Sequence, residues 1–218
     1  ANPRCKICLV PFAGAGRVLR LFGWSPSRKN PKMCGFCSER LPPGGADVEV
    51  AVLVVDVRGY TALSETLSGP EVADKMGRFF DRSTQILMEH DALIDKYLGD
   101  AIQALFLPGI AGQDYRRQAV QAALKLADDL RHELPVGIAV HSGRCFVGNV
   151  GAGGMVDLTA MGDVVNTVHR LQGHAKAGEV IVSSELVSLV PERASWQADD
   201  LMLKGKSEPF AAFRKPAG

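Results

Sequence analysis

Two acidic residues lie where a chain seldom leaves a charge. Asp56 ends the apolar residues 51–55, and Asp100 follows Gly99 at the turn of a predicted hairpin over residues 93–106. A carboxylate at the end of a buried strand must be hydrogen-bonded, bound to a metal or protonated. If the two strands are neighbours in one sheet, carboxylates about 4 Å apart repel by about 4 kcal/mol, and a divalent cation turns that repulsion into attraction. Oxygen ligands of this kind suit Mg²⁺ or Mn²⁺.

Simpler interpretations of these residues stay open. Asp56 could accept hydrogen bonds from the backbone amides of the following residues "VRGYT". Asp100 could form a local ion pair with Lys96 on the same hairpin, worth less than about 1 kcal/mol at the surface. Only the neighbouring motifs can decide between a surface hairpin and a site.

A second group of residues is polar and mostly cationic. Asn166 and Arg170 are one helical turn apart in "TAMGDVVNTVHR" and project away from the apolar stripe of the same predicted helix, 162–176. That stripe consists of Val164, Val168, Leu171 and Ala175. We also expect Arg144 in a glycine-rich hairpin, and Lys204 and Lys206 just before a final strand. Each of these residues alone is typical of a solvated face, but together they suit a polyphosphate.

Four cysteines near the start of the chain form a third group. Cys5, Cys8, Cys34 and Cys37 make two C-x2-C pairs within the near-repeats "NPRCKIC" and "NPKMCGFC". Two such pairs can offer four thiolates to one tetrahedral ion, so we predict a structural Zn²⁺. An iron–sulfur cluster and redox-active or disulfide-paired cysteines are the alternatives. The fifth cysteine, Cys145, is interpreted as an ordinary small apolar residue.

Composition indicates one full globular domain with an appendage. The 218 residues are 46% hydrophobic and 22% charged. The apolar run "VAVLVVDV" is far shorter than the roughly 20 residues that span a bilayer, and no signal-peptide pattern opens the chain. We therefore expect a soluble, cytoplasmic protein. Because the first residue is not Met, the sequence could be a fragment of a longer chain.

Charge divides the chain into two regions. Residues 1–46 carry eight Lys and Arg and one acid, a net charge of about +7, whereas the remainder is about −6. The Pro/Gly-rich "LPPGG" at 41–45 is typical of a boundary. We predict a basic four-cysteine segment with its linker over 1–46 and a catalytic domain over 47–218.

The segment "GRVLRLFGW" between the cysteine pairs mixes Arg17 and Arg20 with apolar residues. One interpretation is a basic amphipathic surface that contacts a membrane, an acidic partner or nucleic acid. The interpretation that we favour is that the apolar residues fill a small core around the metal while the arginines are solvated. Those apolar residues are Val18, Leu19, Leu21, Phe22 and Trp24.

The rest of the chain predicts an α+β fold. The expected order is a buried strand over 48–57, a helix over 70–90, two strands joined by Gly99-Asp100, and a helix over 114–132. A strand pair in "PVGIAVHSG" and "CFVGNVG", the helix 162–176, and short strands near 180 and within 195–214 follow. This order favours a ferredoxin-like core, in which helices flank a mixed or antiparallel sheet.

Five motifs in order carry a resemblance to a known family. The segments "VVDVRGYTALSE", "DKYLGDAIQALF", "VGIAVHSGRCFVGNVG", "TAMGDVVNTVHRL" and "LKGKSEPFAAFR" resemble the catalytic domain of class III nucleotidyl cyclases. The similarity runs from about residue 48 to 214. The resemblance implies the class III cyclase fold. The four-cysteine segment is a departure, because the family does not require it.

The resemblance also implies roles for individual residues. Asp56 and Asp100 would bind two Mg²⁺ or Mn²⁺ ions, Asn166 would orient the ribose, and Arg170 would stabilise the transition state. Lys96 and Thr159 would select the base, so that one hairpin carries both a base-selecting and a metal-binding residue. Further implied substrate contacts are Arg144, Lys204, Gly59, Tyr60 and Thr61.

The resemblance finally implies an activity and an assembly. The Lys96 and Thr159 pair is similar to that of bacterial enzymes that use ATP, whereas guanylyl cyclases usually have Glu and Cys there. We therefore expect an adenylyl cyclase that works as a head-to-tail homodimer with shared sites, controlled by an attached domain or a ligand such as bicarbonate. The alternatives are a guanylyl cyclase, a catalytically silent nucleotide-binding module, and an adaptor whose activity resides in the cysteine segment.

Overall fold

The computed structural model describes residues 4–14, 16–22, 24–27, 31–39, 44–152 and 155–217. The chain divides into two compact units. The first, here named the cysteine unit, comprises Ala1–Val48 and Cys145–Met161, and the second, the core unit, comprises Glu49–Arg144 and Gly162–Gly218. The predicted domain boundary between residues 46 and 47 stays a prediction.

A mixed sheet forms the centre of the core unit. Its strand order is β2-β3-β1-β4-β6-β8-β7. The β4–β6 pair is parallel, and the β1–β3, β2–β3, β6–β8 and β7–β8 pairs are antiparallel. The strand bounds are β1 Gly44–Val57, β2 Leu93–Leu98, β3 Ala101–Phe106, β4 Val136–Ala152, β5 Met155–Met161, β6 Val180–Ser183, β7 Gln197–Leu201 and β8 Phe210–Lys215.

Helices lie on both faces of this sheet. The helices of the core unit are α3 Tyr60–Thr66, α4 Gly69–Glu89, α5 Pro108–Ala111, α6 Tyr115–Leu130 and α7 Asp163–His174, and those described in the cysteine unit are α1 Gly16–Leu19 and α2 Gly35–Glu39. Short 3-10 helices occupy Arg20–Phe22, Ser184–Leu189 and Arg193–Ser195. A capping box starts α4, where the backbone N–H of Ser68 donates to Glu71 Oε2 over 2.9 Å. Among the described residues, no helix has the length and apolar character needed to cross a bilayer.

The two faces of the sheet differ in what covers them. Alternate residues of β1 and β3, such as Leu53 and Ile102, point into an apolar core with the buried faces of α4 and α6. The intervening residues, including Asp56 and Gln103, lie on the opposite face. Helix α7 contacts that face through a hydrogen bond between His169 and Gln103. The predicted α+β fold with a mixed sheet between helices is confirmed.

Within the cysteine unit, β4 pairs antiparallel with β5, and Gly148 lies opposite Thr159. The start of β1 approaches the same part of β4 so closely that side chains do not fit. A Cβ atom on Gly45 would stand 2.6 Å from the Cα of Gly148, and a Cβ on Gly148 would meet the backbone of Gly44 and Gly45. This backbone contact is named the glycine crossing. The glycine crossing requires glycine on both strands, β1 and β4.

Two predictions about local structure are wrong. Residues 136–152 form one continuous strand where two were expected, so Arg144 lies within β4 and outside any hairpin turn. β4 instead pairs with β5, a strand that the sequence analysis missed. Three of the five apolar residues around Arg20 do not fill a core, since Val18, Leu21 and Phe22 are 62%, 84% and 64% exposed, whereas Leu19 and Trp24 are partly buried.

Candidate functional site

The two predicted metal-binding aspartates lie at adjacent strand ends. Asp56 pairs in register with Ala101, and the backbone N–H of Val57 donates to the carbonyl oxygen of Asp100 over 3.2 Å. Burial raises the pKa of Asp56, and the charge of Asp100 raises it further, while Arg58 opposes the shift. The antiparallel β1–β3 pair therefore brings the carboxylate of Asp100 close enough to disfavour the ionised form of Asp56.

Arg58 belongs to this group, and the sequence analysis did not identify it. Its Nη2 lies 3.9 Å from Asp56 Oδ1 and donates to the carbonyl oxygen of Gln172 over 2.7 Å. Its backbone N–H donates to Pro135 over 2.8 Å. Arg58 thus ties the end of β1 to the end of α7. Its position two residues after Asp56 was a signal, but sequence alone does not show which carbonyl a cation will meet.

Helix α7 places Asn166 and Arg170 away from its buried side. The predicted stripe is confirmed, since Val164, Val168 and Leu171 are at most 7% exposed. Asn166 is exposed, and Arg170 is partly exposed. A Cβ atom on Gly205 would stand 3.6 Å from both Nη atoms of Arg170, so the guanidinium lies beside the loop before β8.

A comparison with protein-family models identifies the family of proteins to which the chain with these site residues belongs. The model of the adenylate and guanylate cyclase catalytic domain matches residues 46–213. The chain belongs to this cyclase family. The match includes both aspartates, α7 and the loop before β8. The predicted resemblance to class III cyclases is confirmed.

Relatives and solved structures agree with the cyclase assignment. An uncharacterized protein of Mycobacterium tuberculosis is 33% identical over 93% of this chain, and an adenylate cyclase of Anabaena cylindrica is 30% identical over 84%. These matches cover 38% and 41% of the relatives, so the chain spans less than half of their length. The adenylyl cyclase CyaB of P. aeruginosa has a TM-score of 0.72 and 25% identity, covering 80% of this chain and 97% of that one.

The two predicted base-selecting residues of the cyclase domain lie in different units. Lys96 is in β2 of the core unit, where its Nζ lies 3.6 Å from Asp95 Oδ1 and its side chain is 33% exposed. Thr159 is in β5 of the cysteine unit, is buried, and donates from Oγ1 to the carbonyl oxygen of Ala160 over 3.4 Å. Thr159 lies opposite Gly148 in the β4–β5 pair, whereas the register of β2 with β3 shifts between Ile94 and Lys96.

The predicted phosphate contacts are dispersed over the cyclase domain. Arg144 is near the end of the core-unit part of β4, and Lys204 is exposed in the loop before β8. Lys206 of that loop instead donates to Asp163 Oδ2 over 2.6 Å, and this contact lowers the pKa of Asp163. Lys206 therefore connects the loop to the start of α7. Lys204 is left as the candidate phosphate contact in this loop.

The remaining predicted substrate contacts follow Asp56 directly. Gly59 has a positive φ of 76°, and α3 begins at Tyr60. Thr61 is exposed in the first turn of α3. Gly59 thus allows the sharp turn from strand to helix beside the aspartate, because a side chain would be strained at that φ.

The four N-terminal cysteines of the cyclase chain converge. Their Sγ atoms all lie within 4.8 Å of one another, and Cys8 Sγ lies 3.6 Å from Cys34 Sγ. The backbone N–H of Cys34 donates to Cys5 Sγ over 3.3 Å, and that of Cys37 donates to Cys34 Sγ over 3.4 Å. Burial raises the pKa of Cys34 and Cys37. The group can bind one metal ion.

Proposed function

We propose that this chain is the catalytic domain of an adenylyl cyclase, which converts ATP to 3′,5′-cyclic AMP and pyrophosphate. The observation that carries the proposal is the position of Asp56 and Asp100 at adjacent strand ends, where the charge of Asp100 raises the pKa of Asp56. A divalent cation would offset the mutual repulsion of these carboxylates, so the donor set fits Mg²⁺ or Mn²⁺.

The chain's own residues would orient the nucleotide for an intramolecular transfer. Asp56 and Asp100 would hold two Mg²⁺ or Mn²⁺ ions, which when bound would supply Lewis-acid stabilisation at the 3′-hydroxyl and the departing pyrophosphate. Asn166 would hold the ribose by hydrogen bonds. Arg170 would place its guanidinium where charge develops at the α-phosphate, with Arg144 and Lys204 on the other phosphates.

We propose that the site is shared between two copies in a head-to-tail dimer. Asn166 and Arg170 lie on the side of α7 opposite to its buried stripe, which suits contact with a nucleotide held by a partner. Each chain carries both the aspartates and the α7 residues, so a two-fold dimer would contain two equivalent sites.

The activity is tested by incubating the purified chain with Mg²⁺ or Mn²⁺ and either ATP or GTP, and identifying the product by mass spectrometry. We expect cyclic AMP from ATP. A folded, dimeric preparation that makes no cyclic nucleotide would contradict the proposal, and cyclic GMP as the main product would indicate the guanylyl cyclase that the family also includes.

Mixing two inactive variants tests the sharing of the site. Asp56→Ala and Arg170→Ala should each lower kcat by at least about 1,000-fold. Random pairing of the two should restore about a quarter of wild-type activity, because half of the dimers would contain one intact site. Mixed dimers, verified by differently tagged chains, without any rescue would contradict a shared site.

Base selection is tested by exchanging the predicted pair. Lys96 would donate to a ring nitrogen of adenine, and Thr159 would complete the base contact. The double variant Lys96→Glu with Thr159→Cys should move kcat/KM from ATP towards GTP by at least about tenfold. An unchanged ratio of the two kcat/KM values would place base selection elsewhere.

We further propose that Cys5, Cys8, Cys34 and Cys37 bind one structural Zn²⁺. A tetrahedral site with Zn–S bonds of about 2.3 Å requires sulfur atoms about 3.8 Å apart, close to the 3.6 Å between Cys8 and Cys34. The two N–H···S hydrogen bonds favour thiolates, and a divalent cation would overcome the cost of burying them.

Metal analysis of the purified chain tests this site. We expect one Zn²⁺ per chain, lost in Cys34→Ser and retained in the control Cys145→Ser, which removes a buried cysteine outside the group. Iron with sulfide in place of zinc would indicate a cluster. A chain that binds no metal and has disulfides between these cysteines would contradict the proposal.

A further inference from the structure

Three polar side chains form a hydrogen-bonded chain between α7, β3 and β2 of the core unit. His169 Nε2 lies 2.6 Å from Gln103 Oε1, and Gln103 Nε2 donates to Asp95 Oδ2. Asp95 and Gln103 are 1% and 2% exposed. Buried polar groups of this kind are costly to leave without partners, so this chain of contacts constrains how α7 packs on the sheet.

The direction of the hydrogen bonds follows from the chemistry of the three groups. An ionised Asp95 only accepts, so the amide of Gln103 must turn its NH₂ towards Asp95 and its oxygen towards His169. The amide oxygen in turn requires a proton on His169 Nε2. Burial lowers the pKa of His169, which favours the neutral ring, although the charge of Asp95 opposes the shift. We therefore expect the Nε2–H tautomer of His169, with Nδ1 unprotonated.

Each member of the chain adjoins a residue of the candidate site. Asp95 precedes Lys96, whose Nζ lies 3.6 Å from Asp95 Oδ1. Gln103 follows Asp100 by three positions at the start of β3, and His169 directly precedes Arg170. These three hydrogen-bonded side chains thus connect the strand that carries the proposed base-selecting lysine with the helix that carries the proposed transition-state arginine.

We propose that His169, Gln103 and Asp95 are positioning residues, which fix α7 relative to the β2–β3 hairpin and so fix Arg170 relative to Lys96. This inference rests on the proposed cyclase function. None of the three residues contacts the substrate in the proposal. Their effect is indirect, because a displacement of about 1 Å at a catalytic group can lower a rate by about 100-fold.

Steady-state kinetics provide the first test. Gln103→Leu keeps the size of the side chain but removes both hydrogen bonds, and we expect kcat to fall at least about tenfold while KM for ATP changes less than about threefold. The matched control is Gln85→Leu, which changes an exposed glutamine of α4 that contacts Arg82 and Glu89. We expect that control to retain the wild-type kcat.

A conservative variant provides a test that a merely structural role would not pass. The carboxyl group introduced by Gln103→Glu can donate to Asp95 only when protonated, so activity relative to wild type should rise as the pH falls. The titratable and charged groups around it in the described structure are Asp95 and Lys96 on β2 and His169 on α7. A relative activity that is independent of pH would overturn the positioning role.

The tautomer of His169 gives a readout that needs no activity. In ¹⁵N NMR spectra of the full chain, the imidazole signals lost in His169→Gln should show a protonated Nε2 and an unprotonated Nδ1, and Gln103→Leu should change them. A protonated Nδ1 with a bare Nε2 would overturn the hydrogen-bonded chain.

The outcomes separate the two proposals. A wild-type protein that makes no cyclic nucleotide contradicts the proposed function, yet the tautomer still decides whether the hydrogen-bonded chain exists. An active wild type whose Gln103→Leu variant keeps full kcat overturns the positioning role alone.

Discussion

The two units of the molecule are stabilised in different ways. The core unit buries large apolar side chains such as Leu53, Phe79 and Leu126 completely or nearly so. In the N-terminal part of the cysteine unit, Phe12 and Met33 are buried, but Leu21 and Phe22 are largely exposed. We therefore expect apolar burial to stabilise the core unit, and we expect the N-terminal part of the cysteine unit to depend on its four cysteines.

Removal of the proposed metal should produce the largest difference in stability between the N-terminal part of the cysteine unit and the core unit. Apparent binding free energies of structural Zn²⁺ are about 10–16 kcal/mol, so a chelator should unfold residues 4–39, while residues 49–144 stay folded. Hydrogen exchange measured by mass spectrometry would follow both regions at once. Added Zn²⁺ should restore protection, and equal protection with and without chelator would show that the cysteines are not metal-dependent.

A cavity in the apolar core should produce the reverse pattern. Phe79→Ala removes a side chain that is 1% exposed, and we expect the free energy of unfolding of the core unit to fall by about 3–5 kcal/mol. Urea denaturation would measure the loss. The zinc content should stay at the wild-type value, and a variant that also lost its metal would show that the regions do not fold independently.

The glycine crossing gives a smaller effect within the cysteine unit. Gly148→Ala places a Cβ against the backbone of Gly44 and Gly45, which cannot rotate away, so we expect a destabilisation of about 1–3 kcal/mol. The matched control is Gly77→Ala within α4, where nothing lies within 4 Å of the new Cβ. Thermal unfolding should show a gain of about 0.5–1 kcal/mol for that control.

The smallest expected effect is a pH dependence of the stability of the core unit. Burial raises the pKa of Glu185, but hydrogen bonds with His141 and Ser183 lower it more, to about 2. Because the folded value lies below the usual 4.5, the contribution to stability is present above pH 4.5 and is lost as the pH falls towards about 2. With the side chain 42% exposed, solvent screening keeps the effect below about 1 kcal/mol.

The pH effect is measured by comparing wild type with Glu185→Gln. The difference in their free energies of unfolding should be constant above pH 5 and should shrink as the pH falls through this interval. A difference that does not change with pH would mean that the His141 and Ser183 contacts do not favour the ionised carboxyl.

Sequence predicted the elements of the core unit well, because periodicity reports burial directly. The helix expected over 70–90 is Gly69–Glu89, and the turn at Gly99 joins two strands as expected, with a positive φ of 65°. Sequence failed at β4, because a break was predicted between "PVGIAVHSG" and "CFVGNVG", whereas Gly143 and Gly148 lie within one strand and allow close approach of Val164 and of the β1 backbone.

Residues of the site were predictable only when the family resemblance implied a role for them. Asp56, Asp100 and Arg170 belong to segments that resemble a known family, and their roles remain predictions. Arg58, Gln103 and His169 lie in the same segments, but the resemblance implied no role for them. Their partners are distant in sequence, so their contacts are visible only after α7 has packed on the sheet.

The glycine crossing also sets a rule for exchanging modules. An N-terminal region from another protein could replace residues 4–39 only if glycine were kept at position 45, since Gly148 leaves no space there for a side chain. A chimera joined three residues after Gly44 would keep every candidate catalytic residue. It would still lose the β1 glycines that the glycine crossing requires. The natural cut point for domain grafting is therefore upstream of Gly44.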